Sequence, residues 1–256
     1  MMHQQELRDL IENYLADLAL TPELHAQADS VRYAVMVGGK RVRPVICLAT
    51  AEAAGSDAER ALPAAAALEL VHTFSLVHDD LPALDNDEIR RGNPSVWARY
   101  GEAVALLAGD ALLAEAFRLA LSYPTPAVGR ELAQATLGMI GGQYLDITGT
   151  APDEATLHRL KTGCLFAASV ALGLWAAEVP ERAHAPWRAF GDELGLLFQI
   201  VDDILDGDGY VLTHGADRAR VLADEAAERA QARLEDVPAD TSALSEIVAG
   251  LAARTS

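Results

Sequence analysis

Cysteine is nearly missing from this sequence: Cys47 and Cys164 are the two present, far apart and outside any metal-ligand spacing. That excludes a disulfide framework and a cysteine-based zinc site, and it suits a reducing cytoplasm. Basic residues are also few. Lys and Arg total 20 against 38 Asp and Glu, a net charge of -18, which argues against nucleic acid or an anionic membrane surface as partner and favours a basic ligand or divalent cations. Long apolar runs are lacking too. The longest uncharged stretch, 162–177, falls short of a usual membrane span, and the opening "MMHQQELRDLIENYLADLAL" carries charge throughout, unlike a signal peptide. The expectation is a cytoplasmic protein without stable membrane insertion. Period-two alternation of β-branched residues is the last absence, and it removes the strand-rich classes.

What remains is helical. Of 256 residues 51% are hydrophobic, and alanine- and leucine-rich segments with helical spacing recur from end to end. Thr21-Pro22 and Thr125-Pro126 read as helix starts, and the glycines of "VGGK" and "AAGS" as helix ends. Several segments, such as "AVALLAGDALLAEAFRLAL", are apolar on more than one face, so their helices must be largely buried. The interruptions "SYPTPAVG" and "DVPADTS" are turn-sized. The fold expected is all-α, a single large helical bundle forming one domain over residues 1–256.

Charge is unevenly distributed. In "SLVHDDLPALDNDEIRRG", Asp79, Asp80 and Asp85 follow an apolar helical run, and the pair Arg90 and Arg91 comes directly after. A second acidic group stands in "FQIVDDILDGDG", where Asp202 and Asp206 share one helix face beside Asp203. Like charges at that spacing cost a helix about 0.2–0.5 kcal/mol per pair unless a cation bridges them. Oxygen ligands alone favour a hard cation such as Mg²⁺, which commonly takes its remaining ligands from substrate phosphates. Positive partners for phosphate are present in "VGGKRVRP": Lys40, Arg41 and Arg43 crowd a helix start, where free N–H groups already favour an anion. His72 lies two turns before Asp79 and could equally be a satisfied core histidine. Lys161 and Thr162 bring a cation and a hydroxyl to the entrance of a very apolar segment, where a lysine can simply snorkel. Gln143, Asp146 and Gln199 are polar groups in apolar helical context. Glu69 to His72 and Glu181 to His184 have the Glu-x-x-His spacing of di-iron bundles, but that reading leaves the arginines and both acidic groups unused.

Together, "GGKRVRP", "LVHDDLPALDNDEIRRG", "GGQYLD", "KTG" and "FQIVDDILD" resemble the trans-isoprenyl diphosphate synthases, the farnesyl and geranylgeranyl diphosphate synthase family. The resemblance implies the isoprenoid synthase fold, helices around a central cavity, and a homodimer. It implies about three Mg²⁺ held by Asp79, Asp80, Asp85, Asp202, Asp203 and Asp206. Arg90, Lys161 and Gln199 would assist at the allylic diphosphate, Thr162 would line the reacting centre, and Lys40, Arg43, His72 and Arg91 would hold isopentenyl diphosphate. Phe74, behind the small Ser75, would form the floor that stops the growing chain, implying a farnesyl product, with geranyl or geranylgeranyl as alternatives. A terpene cyclase would have no use for the isopentenyl pocket; a weakly active or non-catalytic subunit of a heteromeric prenyl synthase would usually have lost one acidic motif, but the segment after the second motif keeps that alternative open. One departure stands out. Where the family carries a lysine-bearing loop after the second motif, this chain reads "DGDGYVLTHGADRARVLADE", shortened and without lysine, leaving Arg218 or Arg220 as substitutes.

Overall fold

The computed structural model describes residues 2–255. Thirteen α-helices run in order among them: α1 (Gln4–Ala16), α2 (Gln27–Met36), α3 (Val42–Ala53), α4 (Ala58–Asp79), α5 (Val96–Tyr100), α6 (Glu102–Ala120), α7 (Ala127–Thr148), α8 (Glu154–His158), α9 (Cys164–Ala176), α10 (Ala185–Asp206), α11 (Gly209–His214), α12 (Ala216–Glu235) and α13 (Ser242–Ala252). The architecture is the all-α bundle expected.

Helix α4 is its axis. Ala64 to Leu68, Leu70 and Val71 have no exposed surface, because α3, α6 and α9 pack around them. Four consecutive alanines let those neighbours approach closely, which explains a helix apolar on all sides. By length and composition α4 would also pass for a membrane span, but it is the buried interior of this bundle. Its apolar surface is covered by protein. Helix α10 instead buries one face, Phe190, Leu194, Leu197, Phe198 and Val201, against α9 and α12. It ends at Gly207 (φ 76°), in the left-handed region that glycine adopts without strain. The core is continuous from Leu7 to Leu251.

Three local features differ from the sequence reading. Thr21-Pro22 opens a single 3₁₀ turn, Pro22–Leu24, and no longer helix follows it directly. At Thr125-Pro126, Pro126 is the N-cap residue of α7 and the Thr125 hydroxyl accepts from the Ala127 N–H at 3.2 Å, so the helix begins one residue later than the proline suggests. The apolar segment from 162 enters α9 through a π turn, Arg159–Gly163. The bundle also carries one minimal antiparallel hairpin, β1 (Ile89–Arg90) with β2 (Asn93–Pro94). Its turn residues Arg91 and Gly92 both have positive φ, 53° and 77°, the geometry of a two-residue type I′ turn.

Candidate active site

One cavity of about 870 Å³ opens among α3, α4, α7, α10, the hairpin and the π turn. Lys40, Arg43, His72, Phe74, Ser75, Asp79, Arg90, Arg91, Lys161, Thr162 and Asp202 all line it. These are eleven of the sixteen positions chosen from sequence, drawn from five separated segments. The other five, Asp80, Asp85, Gln199, Asp203 and Asp206, lie outside the lining.

The acidic groups sit where two helices end. Asp79 is the last residue of α4 and Asp206 the last of α10, and a helix C-terminus carries partial negative charge, which disfavours a carboxylate by about 0.3–1 kcal/mol. Burial and then the nearby Asp85 push the Asp79 carboxyl up to about 6. Asp202 is raised likewise, by burial and then by Asp206, with Lys40 and Arg43 opposing. Asp79 accepts from Gln143 Nε2 at 2.9 Å, and the buried Gln143 Oε1 has no partner among the described residues.

The second aspartate of each pair behaves differently. Asp80 is buried and bound by Arg90, which also reaches Asp87 at 3.1 Å. Burial lowers Arg90, but its hydrogen bond to Asp80 and the neighbouring acids outweigh this and raise it. Asp203 is buried and accepts from Gln199 Nε2 at 2.6 Å and from the Tyr210 N–H at 2.9 Å. Asp80 and Asp203 thus differ from the sequence expectation that all six aspartates share one role, because helical periodicity turns the second of each adjacent pair about 100° from the first. Gln199 is engaged with Asp203 instead of facing the cavity.

The cationic side is built on α3 and the hairpin. Arg41, a residue in the left-handed region (φ 50°), borders the cavity with its guanidinium already engaged by Glu69 (2.6 Å), Glu12 (3.0 Å) and the Val35 carbonyl (2.7 Å). This leaves Arg43 to face the cavity, its guanidinium 4.5 Å from the Phe166 ring centroid and 5.5 Å from that of Phe198. Its buried Nε has no partner among the described residues, and burial lowers it to about 10, so it remains charged. His72 lines the cavity; burial first, then Arg43 and Arg91, hold it well below the usual imidazole range, so it is neutral. Arg91 donates to the Gly38 carbonyl.

The π turn brings Lys161 and Thr162 to the cavity wall, with Lys161 paired to Asp146. A methyl at Gly142 would meet the Lys161 Cα at 2.7 Å, so glycine in α7 permits this approach. Sequence reasoning missed His78, whose Nε2 lies 3.0 Å from the Leu106 carbonyl and whose ring meets Phe74 edge-on at 5.0 Å. A side chain at Gly109 would occupy the space of that ring. The histidine next to Asp79 and the glycine of "LLAGDALL" were visible signals, but their meeting across two helices was not.

After Asp206 the shortened segment folds as α11. Arg218 pairs with Glu225 (3.0 Å) and Arg220 with Asp217 (3.2 Å), both exposed and outside the cavity lining. Neither replaces a lysine there. The Glu-x-x-His pairs are engaged elsewhere: Glu69 binds Arg41, His184 Nε2 lies 2.9 Å from the Val179 carbonyl, and Glu181 is exposed in a turn.

A sequence profile described as polyprenyl synthetase matches residues 25–217. The chain is 44% identical over 193 residues to a geranylgeranyl diphosphate synthase of Cyanophora paradoxa, covering 70% of this chain and 64% of that protein. It is 40% identical over 195 residues to the farnesyl diphosphate synthase of Bacillus subtilis (strain 168), covering 70% and 66% respectively. Each match spans less than two thirds of the relative's own length. Among solved structures, an FPP/GFPP synthase from Zymomonas mobilis superimposes with a TM-score of 0.86 at 31% identity, over 97% of both chains.

Proposed function

The chain belongs to the polyprenyl synthetase family, and on that premise we propose that it is a magnesium-dependent prenyltransferase joining isopentenyl diphosphate to an allylic diphosphate. The observation that carries this reading is the single cavity onto which Asp79 and Asp202, the cations Lys40, Arg43, Arg90 and Arg91, and apolar side chains including Met139, Leu165 and Phe198 all open. Acidic groups on two helix ends suit metal, and two sets of cations suit two diphosphates. The donor set fits magnesium, since it offers only oxygen and its two cavity carboxyls are raised by burial beside a second acid, as carboxylates short of positive charge are.

Magnesium held by Asp79 and Asp202, with Asp85 and Asp206 beside them, would supply positive charge to the departing diphosphate. Arg90 adds a fixed guanidinium there, oriented by Asp80, and Lys161 would leave Asp146 to join it. Arg43 is the best placed anchor for isopentenyl diphosphate: it is buried, stacked on two aromatic rings and has donor capacity to spare. Lys40 and Arg91 complete that group. Neutral His72 can donate a hydrogen bond without adding repulsion among the cations. The apolar lining keeps water from the electron-poor allylic carbon while the isopentenyl double bond attacks it. A proton is then lost to the released diphosphate.

For product length we propose farnesyl. Ser75 lies one turn from Asp79 and Phe74 about 7.5 Å along the axis, and Phe74 is braced by His78. A geranylgeranyl product is the second reading, favoured by the 44% identity to a geranylgeranyl diphosphate synthase. A homodimer is proposed from the exposed Leu106 and Leu107 of α6 and Leu137 of α7, which lie outside the cavity lining. Purified protein given Mg²⁺, isopentenyl diphosphate and dimethylallyl or geranyl diphosphate should release inorganic diphosphate and form mainly farnesyl diphosphate; no turnover of either, nor of farnesyl diphosphate, by folded protein overturns the activity.

A further inference from the structure

Asp203 is a buried carboxylate held by neutral donors, Gln199 Nε2 at 2.6 Å and the Tyr210 N–H at 2.9 Å. It is 4% exposed, and among the described residues it has no ion pair. Its counterpart Asp80, 2% exposed and likewise second in its acidic pair, has Arg90. Hydrogen bonds from neutral groups offset only part of the cost of burying a charge, and a counter-ion offsets more. Its place one turn from the C-terminus of α10, near Asp206 and Asp208, adds further negative potential.

Glu154 and His158 of α8 stand against it. One ligand-capable atom from each of Glu154, His158 and Asp203 lies within 4.8 Å of the other two, and His158 Nε2 is 3.4 Å from Glu154 Oε1. None of the three lines the cavity. We propose that Glu154, His158 and Asp203 form a binding site for one divalent transition cation of the zinc, cobalt or manganese class, separate from the magnesium-binding acids of the cavity. One imidazole nitrogen and two carboxylates suit such ions better than magnesium, and water fills the open positions.

The surroundings are those of a metal site. The Thr213 hydroxyl donates to Glu154 Oε2 at 3.1 Å, and Gln199 and the Tyr210 N–H donate to Asp203, so both carboxylates are oriented from outside. The Tyr210 ring lies 5.5 Å from that of His158 and covers one side. Because α8 runs directly into the turn bearing Lys161 and Thr162, the ion would staple α8 to α10 and α11, at the lysine-free segment. This site does not depend on the prenyl-transfer reading.

The test is equilibrium dialysis of the full chain against Zn²⁺ with Mg²⁺ in large excess, read by metal analysis, with Co²⁺ as a visible-absorption probe. One Zn²⁺ per chain is expected, with Co²⁺ bands showing nitrogen and oxygen ligation. His158→Gln and Glu154→Gln should each weaken binding by at least ~10-fold, while Asp79→Ala, on the other acidic cluster, should retain the ion. Circular dichroism checks folding, and the more accessible Glu154→Gln carries the test if His158→Gln does not fold. No zinc retained over magnesium, unchanged affinity in the folded glutamine variants, or loss of the ion in Asp79→Ala would each overturn the proposal.

Discussion

Asp79 shows how function and stability oppose each other at one side chain. Its carboxyl is raised from 3.8 to about 6, so the native state holds that proton more tightly than the unfolded chain. The stability this gives is present at low pH and is lost as pH rises from about 4 to about 6. In chelator, Asp79→Asn should therefore melt higher than the native protein at neutral pH, with the advantage gone at about pH 4. The same variant should lose about 100-fold or more in kcat, because the missing charge acts on the leaving group. Thermal melts at the two pH values, set beside steady-state rates, check both halves. Phe74 offers a second test at this scale. Phe74→Ala should lengthen the main product by at least one isoprene unit, and Gly109→Ala, which displaces the bracing His78 ring, should shift products the same way. Chromatography of the chain lengths reads both; an unchanged distribution in two active variants removes Phe74 as the floor.

Among the elements, α4 and α10 were legible in the sequence because long apolar runs ending in acid have one physical solution, a buried helix with its charged end at a site. The hairpin and the π turn were not. Two-residue strands leave no periodicity, and a single wide turn inside a helical run leaves hydrophobic spacing almost unchanged. Yet the hairpin aims Arg90 and Arg91, and the π turn carries Lys161 and Thr162. The turn's seat on α7 is testable through Gly142→Ala. A methyl meeting Lys161 at 2.7 Å should destabilise the fold by about 1–3 kcal/mol and reduce kcat beyond what any loss of folded protein explains. Denaturant melts and rates normalised to folded protein would show it.

For the whole molecule, the sequence showed the all-α class and the residues that carry charge, but not which of them share a wall. Lys40, Asp79, Arg90, Lys161 and Asp202 come from separate segments and meet only because α4 stands at the centre of the bundle. Nor could adjacency in sequence tell Asp79 from Asp80, one facing the cavity and one tied to Arg90. The exposed leucines of α6 and α7, Leu106, Leu107 and Leu137, are a whole-molecule feature as well. Leu107→Glu should convert a species of twice the chain's mass into monomer in light scattering, whereas a wild-type chain already monomeric would remove the dimer. The central claim is prenyl transfer in this cavity, and it is met most directly by incubating the protein with Mg²⁺, labelled isopentenyl diphosphate and geranyl diphosphate, then measuring inorganic diphosphate and extracted product together. The account predicts equal amounts of diphosphate and farnesyl diphosphate, both abolished in Asp202→Ala; folded native protein that releases diphosphate without forming a longer chain would contradict it.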